Sequence, residues 1–401
     1  MYTPTENIMN ATRRSLLRWS GAAAVTAIAD RLPLIAGAPN DIRITEVRPL
    51  IVKGRTLFVM VRASNGMFGL GECSPMNMTV LASNVQTLLK PRLTGKDPFQ
   101  TDPLYDEMLY PNFKLGPMGA VSEAIAGVDM ALWDLKGKIL GVPVYKLLGG
   151  KYRDRQAVYF SYGRGGAKND TPDSVSKLMA QAVERGFTGV KIRMDFGSQV
   201  LDAPDDPAES FISAIRKAVG DKVEVAFDAN NGYSPKRAIM VGRKFYEKYN
   251  IAWFEEPTPQ YDYAAMKEVA SALDVPISAG EHEYTLWQFK DLITQSGISI
   301  VQPDVSKCGG LTQAKKIATL ALAYNKHVVV HNTTPTVATA AVIHFAASCS
   351  NAARRQEFPG ERADLGPLFE NKLEFERGFM KVPELPGLGL IARESELAKY
   401  Q

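Results

Sequence analysis

The amino-acid sequence predicts a (β/α) barrel that follows an α+β lobe. The main observation is a change of pattern after Gly149-Gly150, where short apolar runs begin to alternate with longer helical stretches. This alternation is typical of parallel strands joined by helices, and the number and spacing of the runs suit a barrel. The eight runs are VYFSY, GVKIRM, VEVAFDAN, IAWFEEP, PISAGE, ISIVQPD, HVVVHN and RRQEF.

The preceding lobe has a different pattern. From Ile42 to Glu72 the residues alternate as in strands, with Gly54 and Asn65-Gly66 at two tight turns, so we predict a three-stranded meander. Helical periodicity takes over from about Asn84, and the clearest helix ends around Gly141-Val142-Pro143. The apolar face of that helix comprises Val121, Ile125, Val128, Leu132 and Leu135.

Length and composition indicate an ordinary globular protein. The 401 residues suffice for two domains, or for one barrel with an attached lobe. The net charge of +4 is small and no run of Lys or Arg occurs, which argues against a nucleic-acid partner. Cys73, Cys308 and Cys349 cannot all pair and lack metal-site spacing, so we expect three unpaired, buried thiols.

The N-terminus resembles a twin-arginine export signal. Arg13-Arg14 precedes Leu16-Leu17 and Arg18, and a mild apolar run from Gly21 to Ala29 follows. That run is too short to span a bilayer, which takes ~20 apolar residues. We therefore predict no stable membrane span, but export to the periplasm by the twin-arginine machinery. The alternative is a basic N-terminal tail on a cytoplasmic protein.

Polar residues follow nearly every predicted barrel strand. The carboxyl ends of barrel strands meet at one mouth, where barrel enzymes place their active sites. From Asp228 onward these residues recur every 23 to 27 positions, close to one strand–helix unit. In order they are Lys191 and Arg193, Asp228 and Asn230, Glu255 and Glu256, Glu281, Asp304, His331, and Glu357.

Three of these carboxylates form a candidate metal site. Asp228, Glu255 and Glu281 follow three consecutive strands, and hard oxygen ligands of this kind suit Mg²⁺. Strand alternation would put Glu255 and Glu256 on opposite faces, so we expect one of the two to be a ligand. Alternation alone does not decide which.

His331 is the candidate acid/base. It ends its strand one unit after Asp304, and a carboxylate bonded to an imidazole fixes the tautomer and raises the basicity of the other nitrogen. His282 adjoins a predicted ligand, so it either contacts the substrate or supports the metal site. The predicted substrate contacts are Asn230, His282, Tyr162 and Arg164.

Taken together, these motifs resemble the mandelate racemase subgroup of the enolase superfamily, from about Ile42 to the C-terminus. The segments that carry the resemblance are DMALWDL at 129–135, Pro143 to Gly150, Asp228-Ala229-Asn230, Phe254-Glu255-Glu256-Pro257, Gly280-Glu281, Pro303-Asp304 with Gly309-Gly310, and His331. The resemblance implies a (β/α)7β TIM barrel under an N-terminal capping domain completed by the C-terminal tail. The predicted divisions are 1–41 for signal and linker, 42–150 for the capping domain, 151–360 for the barrel, and 361–401 for the returning tail.

The resemblance also implies roles for the site residues. Mg²⁺ would bind Asp228, Glu255 and Glu281, which favours Glu255 over its neighbour. The shared step of the family removes the proton α to a substrate carboxylate. Lys191 would hold that carboxylate, Glu357 would hydrogen-bond its other oxygen, and the Asp304–His331 pair would act as base and then as acid to expel a β-hydroxyl. A homo-oligomer is the expected assembly.

Two departures from the family pattern refine this expectation. Arg193 stands where relatives often carry a second, lysine base, and arginine stays protonated in proteins, which disfavours a two-base racemase. The segment Ile51–Thr56 leaves room only for a hairpin where many relatives have a long specificity loop. The pocket is therefore more open, or is closed by Met76–Met78 or Asn112–Leu115.

The sequence thus predicts a Mg²⁺-dependent lyase that dehydrates a sugar acid to a 2-keto-3-deoxy acid. The first alternative is a racemase or epimerase of a 2-hydroxy or sugar acid. The second is a non-catalytic exported protein that binds sugar acids. The predicted Asp304–His331 pair argues against the second alternative, because binding alone needs no acid/base.

Overall fold

An antiparallel three-stranded sheet opens the part of the chain that the computed structural model describes, residues 41–163, 170–194, 200–360 and 363–400. Its strands pair in the order β1-β2-β3. Left-handed Lys53 and Gly54 form the first turn, and Gly66 occupies the second. The bounds are β1 Ile44–Val52, β2 Thr56–Ala63 and β3 Phe68–Glu72.

Helices cover one face of this sheet and complete the capping lobe. They are α1 Met78–Asn84, which runs through a π-helical stretch into α2 Lys90–Leu93, then α3 Thr101–Leu109, a 3-10 turn at Tyr110–Leu115, α4 Ala120–Leu140 and α5 Val144–Leu147. The long helix α4 lies directly against β3. A Cβ at Gly71 would stand 1.9 Å from the carbonyl oxygen of Gly127, so this close approach requires glycine.

Parallel strands alternate with helices in the second half of the chain. The strands are β4 Arg155–Gly163, β5 Gly189–Arg193, β6 Glu224–Asp228, β7 Ile251–Glu255, β8 Ile277–Ala279, β9 Ile300–Val301, β10 His327–Val328 and β11 Gln356–Phe358. The intervening helices are α6 Pro172–Glu184, α7 Ala208–Val219, α8 Pro235–Tyr249, α9 Tyr263–Ala272, α10 Leu286–Gln295, α11 Gly310–Ala323 and α12 Val337–Ala347.

The parallel sheet closes into a barrel because its last strand returns to its first. β11 pairs with β4, and Glu357 lies opposite Tyr159. The Gln356 side chain joins β11 to the preceding strand by accepting from Val330 N (2.7 Å) and donating to Val328 O (3.2 Å). The inward-facing residues Tyr159, Ala226, Trp253, Ile300 and Val329 form a small apolar layer inside the barrel.

The capping lobe supplies buried carboxylates to the N-termini of two barrel helices. Asp129 accepts hydrogen bonds from the backbone and hydroxyl of Thr312, at the start of α11. Glu72 accepts from Thr336 Oγ1 (3.0 Å) and from Ala338 N (2.9 Å) at the start of α12. Negative charge is favourable at a helix N-terminus, so these contacts stabilise the docking of the lobe on the barrel.

The C-terminal segment returns to both parts of the fold. It contains β12 Phe375–Glu376, β13 Phe379–Lys381 and α13 Glu394–Leu397, and β13 pairs antiparallel with β4. Asp134 of α4 then links this segment to the sheet. Its two oxygens accept from Leu388 N and Leu70 N, each at 2.8 Å, and Lys138 Nζ lies 2.6 Å away.

The structure agrees with the predicted architecture. Each of the eight apolar runs contributes a barrel strand, and the three-stranded meander and its turns are confirmed. Helical structure begins at Met78, earlier than the predicted Asn84. Cys73, Cys308 and Cys349 are free and buried, as expected. No helix in the described part of the chain is long and apolar enough to cross a membrane.

The contacts of Asp134 make a stability prediction. Asp134→Ala leaves two buried backbone donors unsatisfied, and each such loss costs about 1–3 kcal/mol. We expect the free energy of unfolding, measured by urea titration, to fall by roughly 2–4 kcal/mol. The control is Asp102→Ala, which removes a half-exposed surface ion pair to Lys316 and is expected to cost less than about 1 kcal/mol. Equal losses in the two variants would contradict the prediction.

Candidate active site

Three carboxylates meet at the mouth of the barrel, at the ends of consecutive strands. Asp228 ends β6, Glu255 ends β7, and Glu281 follows β8. Strand register sets Asp228 beside Glu255, and one oxygen from each of the three side chains lies within 4.8 Å of the others. All three residues are buried. The predicted trio is therefore assembled by the fold.

The electrostatics of this trio favour a bound cation. Burial and the neighbouring Glu255 raise the pKa of Asp228 well above its ordinary value. Oδ2 of Asp228 is buried and accepts no hydrogen bond from the described residues. An uncompensated buried carboxylate oxygen is costly, and a divalent cation would compensate it. The oxygen-only set thus fits a hard metal ion such as Mg²⁺.

Lys191 of β5 lies among these carboxylates. Its ammonium contacts Glu255 Oε1, and lies 3.2 Å from Glu357 Oε1 and 3.7 Å from Asp228 Oδ2. Burial lowers the pKa of Lys191, but Glu255 and Glu357 outweigh burial and hold it well above the ordinary value. Lys191 is therefore a permanent positive charge at the mouth.

Neighbouring groups orient the carboxylates that Lys191 contacts. Oε2 of Glu255 accepts from Trp253 Nε1 (3.2 Å) and from Gln302 Nε2 (2.7 Å). Oε2 of Glu357 accepts from the backbone of Asn332 at 2.8 Å. Burial raises the pKa of Glu357, but Lys191, His331 and the hydrogen bonds that Glu357 accepts together outweigh burial and leave the pKa lowered. Glu357 is thus held as an anion beside Lys191.

The predicted acid/base pair is present in hydrogen-bonding geometry. His331 Nδ1 lies 2.7 Å from Asp304 Oδ2, and the two residues form a parallel bridge between the ends of their strands. His331 Nε2 faces the carboxylate trio, 3.1 Å from Glu281 Oε2. Burial lowers the pKa of His331, but Glu281, Glu357 and the hydrogen bond to Asp304 together outweigh burial and leave the pKa raised. The pair therefore presents an imidazole nitrogen to the carboxylate trio.

The neighbouring Glu256 forms a second group with His282. Alternation along a strand would turn Glu256 away from Glu255, but β7 ends at Glu255 and Glu256 has a left-handed φ of 39°. Its Oε2 consequently lies 3.3 Å from His282 Nε2 and accepts from Asn231 Nδ2 at 3.1 Å. Burial lowers the pKa of His282 to about 4. Glu256 therefore forms a second cluster with Glu281 and His282, in which one potential ligand atom of each residue lies within 4.8 Å of the others.

The other predicted contacts differ in position. The backbone N of Asn230 donates to Asp228 Oδ1 at 2.7 Å, and its side-chain Nδ2 has no hydrogen-bond partner among the described residues. Arg193 shares the inward face of β5 with Lys191, and its guanidinium lies against Gly163, where a Cβ would be 3.4 Å from Arg193 Nε. Asn230 and Arg193 thus lie near the carboxylates.

Tyr162 does not join them. It packs against the main hydrophobic core, and its hydroxyl lies 3.2 Å from Asp170 Oδ1. The preceding Ser161 instead hydrogen-bonds to Glu357, because alternation turns neighbouring residues of β4 to opposite faces. Ser161 is therefore the residue that the sequence pattern should have indicated. Arg164 lies outside the described residues.

Two further residues at the mouth were missed. Lys307, three positions after Asp304, donates from Nζ to the carbonyl oxygen of Glu281 at 3.2 Å. Glu123, in the first turn of α4, hydrogen-bonds to Tyr284 and faces Lys307, and burial raises its pKa to about 7. The loop sequence PDVSKCGG contained the signal for Lys307, whereas Glu123 comes from the capping lobe and has no strand-end signature.

The capping lobe touches the barrel rim through one of the two segments proposed to close the pocket. Phe113 packs edge-on against Trp287 at the start of α10, with ring centroids 5.8 Å apart. Asn112 is buried and donates to Met108 O, whereas Met76 is largely exposed. The hairpin at 52–56 is confirmed, with Val52 paired to Thr56. The segment 112–115 thus contacts the barrel rim through Phe113.

Comparison with known proteins agrees with this geometry. Residues 39–149 match the family model of the mandelate racemase/muconate lactonizing enzyme N-terminal domain, and residues 174–396 match the enolase C-terminal domain-like model. The chain belongs to the mandelate racemase/muconate lactonizing enzyme family. Its prediction as an enzyme with a TIM-type barrel and a capping domain is therefore confirmed.

Individual members of the family are similar over most of their length. Arabinonate dehydratase from Saccharolobus solfataricus is 31% identical, covering 85% of this chain and 89% of its own. D-galactonate dehydratase from Ralstonia pickettii is 32% identical, and the match covers 87% of this chain and 91% of the relative. The crystal structure of a mandelate racemase/muconate lactonizing protein from Paracoccus denitrificans complexed with magnesium is 39% identical, with a TM-score of 0.84 and coverage of 90% and 97%.

The carboxylate trio makes a metal-binding prediction. Asp228→Asn removes a negative oxygen ligand, so we expect the affinity for Mg²⁺, measured by isothermal titration calorimetry, to fall at least about 100-fold. The matched control is Glu224→Gln, at the opposite end of β6, where the carboxylate pairs with Arg355 at 2.8 Å. We expect wild-type affinity there. Unchanged affinity in Asp228→Asn would exclude the trio as the metal site.

Proposed function

We propose that this protein is a Mg²⁺-dependent sugar-acid dehydratase that converts its substrate to a 2-keto-3-deoxy acid. The observation that carries the proposal is the buried Asp304–His331 pair, whose second imidazole nitrogen, Nε2, faces a carboxylate trio fit for a metal. The dehydratase names of the relatives from Saccharolobus and Ralstonia support the reaction class. The magnesium in the related Paracoccus structure supports the choice of ion.

The metal would be held by Asp228, Glu255 and Glu281. Bound there, Mg²⁺ supplies Lewis-acid stabilisation of the negative charge that develops on the substrate carboxylate. Lys191 adds a second fixed positive charge, and Glu357 lies beside it at 3.2 Å. Preorganised charges of this kind stabilise a developing anion without reorganisation, which is usually the largest contribution to catalysis.

His331 removes the α-proton in the proposed reaction. Asp304 accepts from Nδ1 at 2.7 Å and so fixes the tautomer that leaves Nε2 as the base. The electron pair of the broken C–H bond moves toward the carboxylate. The protonated His331 then gives its proton to the departing β-hydroxyl, so water leaves and the enol product tautomerises to the 2-keto acid. Asn230 and His282 are the proposed contacts of the substrate hydroxyl groups.

The racemase alternative is less well supported. Racemisation needs a second group that returns a proton on the opposite face of the α-carbon. Arg193 stands on β5 where that group is expected, and a guanidinium remains protonated throughout the catalytic pH range. A single base that becomes the acid for a leaving group is enough for dehydration, so dehydration fits these residues better.

The proposal predicts the behaviour of a His331 variant. His331→Asn removes the base but keeps a polar side chain, so we expect kcat to fall by roughly 10² to 10⁴. The measurement is proton NMR of a sugar-acid library in deuterated water with Mg²⁺, following loss of substrate and deuterium at the α-carbon. The matched control is His327→Asn, an exposed histidine on the same strand segment, which should react like the wild type.

The same spectra separate the alternatives. Exchange at the α-carbon without loss of water would replace dehydration by epimerisation. Saturable binding of sugar acids without exchange would indicate the non-catalytic binding protein. Equal turnover by wild type and His331→Asn would exclude His331 as the base.

We also propose export of the folded protein by the twin-arginine machinery, with the periplasm as its destination. Arg13 and Arg14 carry this proposal, and both lie outside the described residues. Lys keeps the charge of these side chains but not the guanidinium that such signals require. We therefore expect Arg13→Lys/Arg14→Lys to move the protein from the periplasmic to the cytoplasmic fraction of cells. Cytoplasmic wild-type protein would contradict export.

A further inference from the structure

Lys307 connects the predicted metal site with the acid/base pair. It lies in the loop between β9 and α11, and its side chain is buried. Its ammonium donates to the backbone oxygen of Glu281 at 3.2 Å and lies 3.9 Å from Asp304 Oδ2. Glu281 belongs to the carboxylate trio, and Asp304 orients His331. One side chain therefore contacts the ends of two neighbouring strands that carry different parts of the chemistry.

Asp304 also has contacts within its own loop. Ser306 donates to Asp304 Oδ1 from its backbone at 2.7 Å and from its hydroxyl at 2.6 Å. These bonds fix the carboxylate relative to β9. The pairing of β8 with β9 extends to Gln302 N, which donates to Ala279 O at 2.8 Å. The bond from Lys307 to the Glu281 carbonyl joins the two segments beyond that point, at Glu281 itself.

The capping lobe reaches the same lysine. Ser122 Oγ donates to the backbone oxygens of Lys307 (2.8 Å) and Tyr284 (3.0 Å). The next residue, Glu123, brings a buried carboxylate that attracts the ammonium. Two residues at the start of α4 therefore contact Lys307: Ser122 bonds to its backbone oxygen, and Glu123 attracts its ammonium.

We propose that Lys307 is a positioning residue that holds the Asp304–His331 pair at a fixed separation from Glu281. This separation sets where His331 Nε2 meets the α-proton. The kinetic consequence rests on the proposed function, whereas the separation itself does not. The competing explanation is charge balance, in which Lys307 serves only to compensate the buried carboxylate of Glu123.

The test compares Lys307→Met with a matched control, Lys315→Met. Methionine keeps an unbranched stem and removes the ammonium. Lys315 lies within α11, is partly buried, and donates to Ser348 O at 2.6 Å, away from the mouth. A displacement of about 1 Å in a catalytic group can cost ~100-fold. We expect Lys307→Met to lower kcat about 100-fold, with KM and Mg²⁺ affinity changed less than about 3-fold. Lys315→Met should keep the wild-type kcat.

Two more variants separate positioning from charge balance. Lys307→Arg keeps the positive charge and the hydrogen-bond donors. Its kcat should therefore be at least about 10-fold higher than that of Lys307→Met. Glu123→Gln/Lys307→Met removes both charges, so no unpaired buried charge remains. Positioning predicts that the double variant stays slow, whereas charge balance predicts wild-type kcat. If Lys307→Met fails to fold, the double variant carries the kinetic comparison.

Crystal structures of the wild type and the variant test the proposal without any substrate, through one interatomic distance. In the variant lacking Lys307 we expect the distance from Asp304 Oδ2 to the Glu281 carbonyl oxygen to increase by more than about 0.5 Å, the tolerance of a preorganised site. An unchanged separation, or a wild-type kcat in either methionine variant at position 307, would overturn the proposal. If the wild type turns over no sugar acid, the proposed function fails, and the separation still decides the role of Lys307.

Discussion

The crowding of carboxylates at the barrel mouth is the constraint on which the site depends. One oxygen from each of the buried residues Asp228, Glu255 and Glu281 lies within 4.8 Å of the others, and burial together with Glu255 raises the pKa of Asp228 well above its ordinary value. Lys191 offsets part of this repulsion, since it contacts Glu255 and lies near Asp228. Its pKa is held well above the ordinary value, so its charge does not vary. A divalent cation bound to the three carboxylates would complete the compensation, which would couple metal binding to structural order at the mouth.

The capping lobe participates in the same electrostatic arrangement. Asp129 and Glu72 place buried carboxylates at the N-termini of α11 and α12. Glu123, from the same helix as Asp129, reaches Lys307 and Tyr284 at the mouth. The helix α4 thus contributes to both functions of the lobe: Asp129 helps to dock the lobe on the barrel, and Glu123 contacts the residues at the mouth. The lobe therefore contacts the barrel through charged groups as well as apolar packing, and Glu123 brings one of those groups to the candidate site.

Strand-end residues could be predicted from the sequence because parallel strands bring their carboxyl ends together whatever the loops do. Asp228, Glu281, Asp304 and His331 are of this kind, and the structure places all of them at the mouth. Side-chain direction beyond the strand ends was harder to predict. Glu256 turns toward His282 because of a left-handed backbone, which period-two alternation does not encode. Lys307 lies in a barrel loop and Glu123 in the capping lobe. Tertiary packing brings the two together, and no local sequence pattern predicts such a contact.

The asymmetry of the mouth bears on which reaction this scaffold can support. His331 is buried, paired with Asp304 and adjacent to Glu281, so an imidazole with a fixed tautomer faces the trio. Arg193 carries a guanidinium, a permanent cation, which packs against Gly163. A guanidinium can stabilise a developing carboxylate charge but cannot return a proton. In the proposed reaction, therefore, the α-carbon is not reprotonated by this residue. Instead the β-hydroxyl departs with the proton that the imidazole takes from the α-carbon, so no further base is needed and Arg193 acts through its charge.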